Sequence, residues 1–404
     1  MLLRFAWRNL WRNPRRTAIV VVAVSVGIAG SLLSMGVNYG MVDQMVVTAI
    51  RTELGHIQVH AAGWEDEPTL QKTLPGGAAT VVAALERDPR VRAWTRRVRG
   101  DGLVNSPRAS AGVRVIGVEG EREGDVSLLR EALVAGNWLG AAPRRALLGE
   151  SLAERLQVEL GDKIAVSVQD ASGDLTGGGF RVGGLFHTPS SELDRSTLLL
   201  GLGEAQVLFA LGDAVSEVVV VVHDPDEVEA LRTSLAKELG PQVEVRSWAQ
   251  LEPLLVYMVQ SFDMMAWYLY AAVFTAMAFG IANVLLMAVH ERTREIGMLR
   301  AIGMSRRRVV AMVVLESMWV TGVGLAVGMA VALGATWLLR DGIDLSAFAQ
   351  GLAAYGVPPR LSPVLRARDF GMPLVIAGVA AGLASLWPAL HAARERPAEA
   401  LRHV

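Results

Sequence analysis

The chain reads as an α-helical integral membrane protein with four transmembrane helices and a large extracytoplasmic α+β domain inserted between the first and the second. Three observations carry that expectation. Four stretches with almost no charge are each long enough to span a bilayer, arginine gathers at both ends and in one internal loop, and residues 43–263 have the composition of an ordinary soluble domain.

Thr17–Val42 and Met264–Val289 each run 26 residues without a charged side chain, Val309–Leu339 runs 31 with Glu316 alone, and Phe370–Leu390 adds 21. About 20 apolar residues, rising about 1.5 Å each, cross a hydrocarbon core ~30 Å thick. The expected spans are therefore 17–42, 264–289, 309–339 and 370–390. A cleaved signal peptide has an apolar core of roughly 7–15 residues, so the first stretch is expected to remain as an anchor. Residues 1–16, 290–308 and 391–404 together hold 14 arginines, and the first of these segments holds no acid. The 340–369 loop balances four arginines with three aspartates. The bias of positive charge toward the cytoplasm places both termini and the 290–308 loop inside, and 43–263 and 340–369 outside.

Within 43–263, His56–His60, Val113–Val118, Ile164–Val168 and Val218–Val222 have strand patterns, and Ala78–Arg87, Ser151–Leu156 and Pro225–Leu239 have helical ones. Asp224 followed by Pro225 is a helix start. The glycine-rich Asp170–Gly184 stretch reads as a hairpin loop, since no helix follows it to make a phosphate cradle. Gly149–Ala153 has the outline of a nucleophile elbow but ends in Ala where a second Gly belongs, so a helix start is expected. His56 and His60 would share a strand face, which is too little for a zinc site.

Composition excludes several functions. A net charge of −1 does not suit a nucleic-acid binder. The absence of Cys removes disulfides, thiolate metal sites and thiol catalysis. None of the three lysines, Lys72, Lys163 and Lys237, follows a Gly, so no GxxxxGK[ST] nucleotide loop exists. Neither catalytic residues, nor a metal, nor a cofactor of its own is expected.

Two apolar stripes extend the spans outward. Val42, Met45, Val46, Ala49 and Ile50 recur at helical spacing, as do Leu251, Leu254, Leu255, Met258 and Phe262. They either pack on each other and on the domain or line a path for an apolar guest, with Met45, Ile50, Leu254, Met258 and Phe262 as candidate lining. In the 290–308 loop, Ile296, Leu299 and Gly303 form an apolar edge on a short helix, surrounded by Arg292, Glu295 and Arg300. That edge can rest on lipid headgroups or dock another protein. Gly36/Gly40, Gly324/Gly328 and Gly378/Gly382 are GxxxG pairs that permit close helix packing. Glu316 is expected to make a structural contact rather than to relay protons, for want of ionisable partners in the spans.

Three motifs carry a resemblance. Ala6-Trp-Arg8-Asn9-Leu10 with Asn13-Pro14-Arg-Arg16-Thr17 precedes the first span, Arg294-Glu-Ile-Gly-Met-Leu-Arg-Ala-Ile-Gly303 fills the internal loop, and Trp387-Pro388-Ala389 with Pro397-Ala398-Glu-Ala400-Leu401-Arg402 ends the chain. Together with Leu148–Lys163, these segments resemble the FtsX-like and MacB-like permeases of the type VII ABC transporters, and most of all their lipoprotein-releasing branch. The resemblance implies an amphipathic entry helix over 1–16 and a MacB-like periplasmic core over 43–263. It also implies that Arg292, Arg294, Glu295, Ile296, Gly297, Leu299, Arg300 and Gly303 belong to a helix coupled to a separate ABC ATPase, which binds the ATP. A second permease copy or a homologous permease is implied, giving an eight-helix membrane unit in a bacterial inner membrane. The expected activity is extracytoplasmic release of a lipid-modified protein or other lipid. Mechanotransmission to an outer-membrane partner and control of a cell-wall hydrolase are the alternatives.

Overall fold

The computed structural model describes residues 7–8, 12, 14–64, 66, 69–140, 143–348, 351, 357 and 360–394. Most of the expected entry helix over 1–16, and the closing motif from residue 395 onward, lie outside the described residues. Contacts divide the chain into two compact units, one of Met1–Val42, Val259–Asp344 and Arg360–Val404, the other of Asp43–Met258 with Leu345–Pro359.

The first unit holds helices long and apolar enough to cross a membrane. The four such stretches are Thr17–Leu54, Pro253–Glu291, Arg306–Leu338 and Gly371–Arg394. Several of these helices outrun the apolar stretches read from sequence. The first begins at Pro14 and stays α-helical to Ala49, after which Ile50–Leu54 widens into a π turn. Val24, Ile28 and Leu32 of the first helix, Phe274 and Ile281 of the second, Leu325 of the third and Ala381 of the fourth share one apolar core. Small residues set the spacing. A Cβ added at Gly324 would stand 2.7 Å from the Val24 Cβ, and one at Gly328 would stand 2.8 Å from the Ser25 carbonyl oxygen. The Ser25 hydroxyl donates to the Gly324 carbonyl at 3.0 Å, which seals the crossing. At Gly40 an added Cβ would collide with the Ser362 carbonyl, whereas at Gly378 and Gly382 it would meet no atom of this chain within 4 Å.

Gly324→Leu is therefore expected to push the first and third helices apart. Overpacking of this kind costs about 1–3 kcal/mol, visible as a lower thermal midpoint in detergent, while Gly378→Leu should leave the midpoint of the isolated chain unchanged. Equal effects of the two substitutions would refute this account of the crossing.

The second unit is built on a ten-stranded mixed sheet that lies, in chain order, between the first two long helices. Its strands are β1 (Ile57–Ala61), β2 (Val91–Asn105), β3 (Ser110–Val118), β4 (Leu133–Gly136), β5 (Arg145–Gly149), β6 (Lys163–Gln169), β7 (Leu175–Phe186), β8 (Thr197–Gly201), β9 (Glu217–Val222) and β10 (Val243–Ser247). The order is β10-β1-β9-β2-β3-β8-β5-β7-β4, with β6 bridging β2 and β7. Only β3/β8 and β5/β7 run parallel. All six residues of β9 are buried, as expected of a continuous apolar run covered on both faces. Val218, Val220 and Val222 enter the main core, while Val219 and Val221 pack against Val126 of the Gly120–Val126 helix.

The helix start at Asp224–Pro225 is present: the Asp224 side chain accepts from the Asp226 amide at 2.9 Å. The glycine-rich loop is shorter than the sequence reading. Only Asp170–Asp174 turns, with Asp170 Oδ1 accepting from the Ser172 and Asp174 amides at 2.9 and 3.0 Å. From Leu175 the chain pairs with β6 along its full length. Its glycines serve close packing, since a Cβ at Gly177 would stand 2.9 Å from the Val166 oxygen.

Candidate functional site

The loop after the second long helix folds as a nine-residue helix, Thr293–Ala301. Its end is fixed by glycine. Gly303 takes φ +101°, its amide donates to the Arg300 carbonyl at 3.1 Å, and the Met304 amide reaches back to Leu299 at 3.0 Å. This paired bonding satisfies the last carbonyls of the helix and stops it cleanly. The third long helix then starts at Arg306.

The apolar edge of this short helix faces inward. Ile296 and Gly297 are buried, and Ile296 packs with Val289, Val309, Ala392 and Ala393 of the long helices. Leu299 and Arg300 are half-buried, while Arg294, Glu295 and Gly303 are exposed. The surface offered outward carries Met298, 49% exposed, and Ile302, 82% exposed, neither of which the sequence reading selected. A helical spacing of four joins them on the side opposite Ile296.

Among the described residues, ion pairs to Arg12 and Glu316 help hold the helix. Glu295 pairs with Arg12, and both side chains remain about half exposed. Arg292, at the N-cap, reaches Glu316 of the third long helix at 3.2 Å, and here the side chains are only 11% and 16% exposed. Glu316 thus has an ionic partner from outside the spans, which the search within the apolar stretches could not find. The pair ties the start of the short helix directly to a long one.

In the second unit the π turn Ile50–Leu54 is anchored to the sheet by arginines. Arg97 Nη1 donates to the Glu53 carbonyl at 2.6 Å, Arg114 Nη1 reaches the Glu53 carboxylate at 2.7 Å, and Arg99 pairs with the same carboxylate. Arg97 is fully enclosed, and its Nε donates to Glu123 at 3.1 Å. Burial works against its charge, yet the Glu123 carboxylate, with Glu217 beyond it, holds the guanidinium pKa above its usual value.

The outward stripes are divided. Met45 and Ile50 are buried, Met258 and Phe262 are half-buried, and Leu254 is 67% exposed. Exposed apolar side chains continue down the second long helix through Tyr257, Met264, Met265, Trp267 and Tyr268.

The remaining chemistry is structural. His60 is buried, stacked on Trp64 at 3.7 Å and 2.9 Å from Gln58 Oε1, and burial lowers its pKa and that of His56. Both are thus held toward the neutral form, and among the described residues no three His, Asp or Glu converge on a metal position. At the elbow-like segment, Gly149 precedes the Glu150–Leu156 helix because a Cβ there would collide with the Asp194 backbone.

Four apolar helices of spanning length and a large mixed α+β unit have the makeup of a multi-pass membrane protein. Residues 17–238 match the MacB-like periplasmic core domain and residues 268–397 the FtsX-like permease C-terminal domain, and the chain belongs to this family of ABC-transporter permeases. It is 23% identical to the lipoprotein-releasing system transmembrane protein LolC of Neisseria meningitidis serogroup B, over 96% of this chain and 94% of that one. It is 24% identical to the lipoprotein-releasing system transmembrane protein LolE of Haemophilus influenzae, over 98% and 96%. The crystal structure of the periplasmic region of MacB from Actinobacillus actinomycetemcomitans aligns with a TM-score of 0.38 at 12% identity, covering 52% of this chain and 97% of that one.

Proposed function

We propose that this chain is the membrane subunit that converts the stroke of a separate ABC ATPase into extracytoplasmic release of a lipid-modified protein. The observation that carries the reading is the end-to-end similarity to two lipoprotein-releasing permeases. The chain contributes no ATPase or other enzymatic step. Both termini and the Thr293–Ala301 helix lie on the cytoplasmic side of a bacterial inner membrane, by the arginine bias. The sheet-bearing domain, inserted between the first and second spans, lies on the other side.

Met298 and Ile302 give the ATPase an apolar foothold, flanked by Arg294. Arg292, paired with Glu316, passes the push to the third span. Ile296, Gly297 and Leu299 seat the helix, Gly303 ends it, and Glu295 and Arg300 set its charge. A second permease, identical or homologous, completes the assembly and faces the exposed apolar side of the second span. The lipid's path runs along that side past Leu254, Met258 and Phe262, with Met45 and Ile50 stiffening the opposing stalk. An acyl chain needs such a surface, since each methylene exposed to water costs about 0.8 kcal/mol.

Mechanotransmission without a lipid path is the second reading, and the arginine-locked joint at Glu53 favours it. Met258→Asp separates the two. If Met258 lines a lipid path, the variant should express and bind its ATPase but fail to release lipoprotein, and a photocrosslinker at Met258 should capture lipid-modified protein. Normal release with no lipid adduct would exclude the lipid path and leave force transmission.

A further inference from the structure

The sheet-bearing unit contains a polar cleft of about 720 Å³, bordered on one side by the Glu53 joint. Glu217, at the head of β9, lines it and is 1% exposed. Among the described residues neither carboxylate oxygen of Glu217 receives a hydrogen bond. Guanidinium nitrogens of Arg97 and Arg99 stand 3.8 and 3.6 Å away, near enough to offset its charge but beyond hydrogen-bonding reach. Both arginines are engaged elsewhere, Arg97 with Glu123 and Arg99 with Glu53. Buried carboxylates in folded proteins are nearly always supplied with donors. This one belongs to the wall of the cleft, with both oxygens shielded from bulk solvent.

The charge around the cleft defines the missing donor. Asp101, Glu192 and Glu252 line it and are exposed. The basic residues lining it are Arg99 and Arg114, and both already pair with Glu53. Trp64 and Leu70 add apolar wall. A metal ion does not fit, because no three ligating side chains among the described residues come together. Carboxylates spread along a cleft with an apolar wall suit an extended organic cation, whose ammonium donates hydrogen bonds while its alkyl chain lies against Trp64.

We propose that this cleft binds an alkylammonium group, with the Glu217 carboxylate accepting its hydrogen bonds and Asp101 and Glu252 drawing it in. The group belongs either to a free polyamine or to a lysine side chain of a polypeptide. The site stands apart from the transport reading, and its failure would leave that reading untouched.

Calorimetric titration of the full chain in detergent with spermidine, and separately with an end-capped lysine tripeptide, tests this. At least one probe should bind, with affinity falling about tenfold or more in Glu217→Gln, which keeps the side chain's shape but removes its charge. The exposed pair Asp101→Asn/Glu252→Gln should weaken binding as well, which keeps the test decisive if Glu217→Gln misfolds. Binding of spermidine alone assigns a polyamine, and binding of the tripeptide assigns a lysine side chain. No binding of either probe, unchanged affinity in the folded variants, or displacement by Mg²⁺ at equal charge would overturn the proposal.

Discussion

Arg97→Ala is expected to cost the sheet-bearing domain about 3–5 kcal/mol, the usual consequence of removing one partner from a buried ion pair. The substitution strands Glu123, which is fully buried, and removes one of the two cations near Glu217. It also frees the Glu53 carbonyl at the π turn. Thermal unfolding of the purified chain should show a lost or strongly lowered transition for this domain. Arg97→Met combined with Glu123→Leu should recover much of the loss, because a buried pair replaced by apolar groups is often neutral. A single substitution with a wild-type transition would mean that Arg97 carries no structural load.

Exchanging the charges of the Thr293–Ala301 helix, Glu295→Arg with Arg300→Glu, is expected to abolish transport-coupled ATP hydrolysis while the membrane unit stays folded. The exchange breaks the Arg12–Glu295 pair and reverses the field beside Met298 and Ile302. Glu316→Ala should give the same phenotype by another route, leaving Arg292 half-buried without its carboxylate. The measurement is substrate-stimulated ATPase activity of the reconstituted complex, alongside co-purification of the ATPase. Normal stimulation in both variants would remove this helix from the coupling path.

The apolar helices were legible because a spanning segment must be apolar on all sides, and that needs no knowledge of neighbours. The β9 run of valines was legible for the same reason. By contrast β2 carries four arginines among its 15 residues, which hides its alternation. It pairs with β3, β6 and β9, and acids from distant segments neutralise its Arg97 and Arg99. The glycine-rich β7 reads as loop until β6 lies close enough for the missing Cβ atoms to matter. On the Thr293–Ala301 helix the spacing singled out the edge of Ile296, Leu299 and Gly303, and it takes the packed long helices to show that Ile296 turns inward and leaves Met298 and Ile302 exposed. Glu316 finds its partner 24 residues earlier in the chain, a pairing that span-by-span reading does not reach.

The two ends of the first long helix are held by ion pairs of opposite character. At its start Arg12 meets Glu295 with both side chains about half in solvent, where dissolved ions shield such attraction readily. At its far end the Glu53 backbone and carboxylate meet Arg97, Arg99 and Arg114 in a largely enclosed setting, where shielding is weak. Rising ionic strength therefore loosens the entry to this helix and leaves its exit fixed. Salt thus discriminates between two joints of one helix, slackening the half-exposed one at Glu295 and sparing the enclosed one at Glu53.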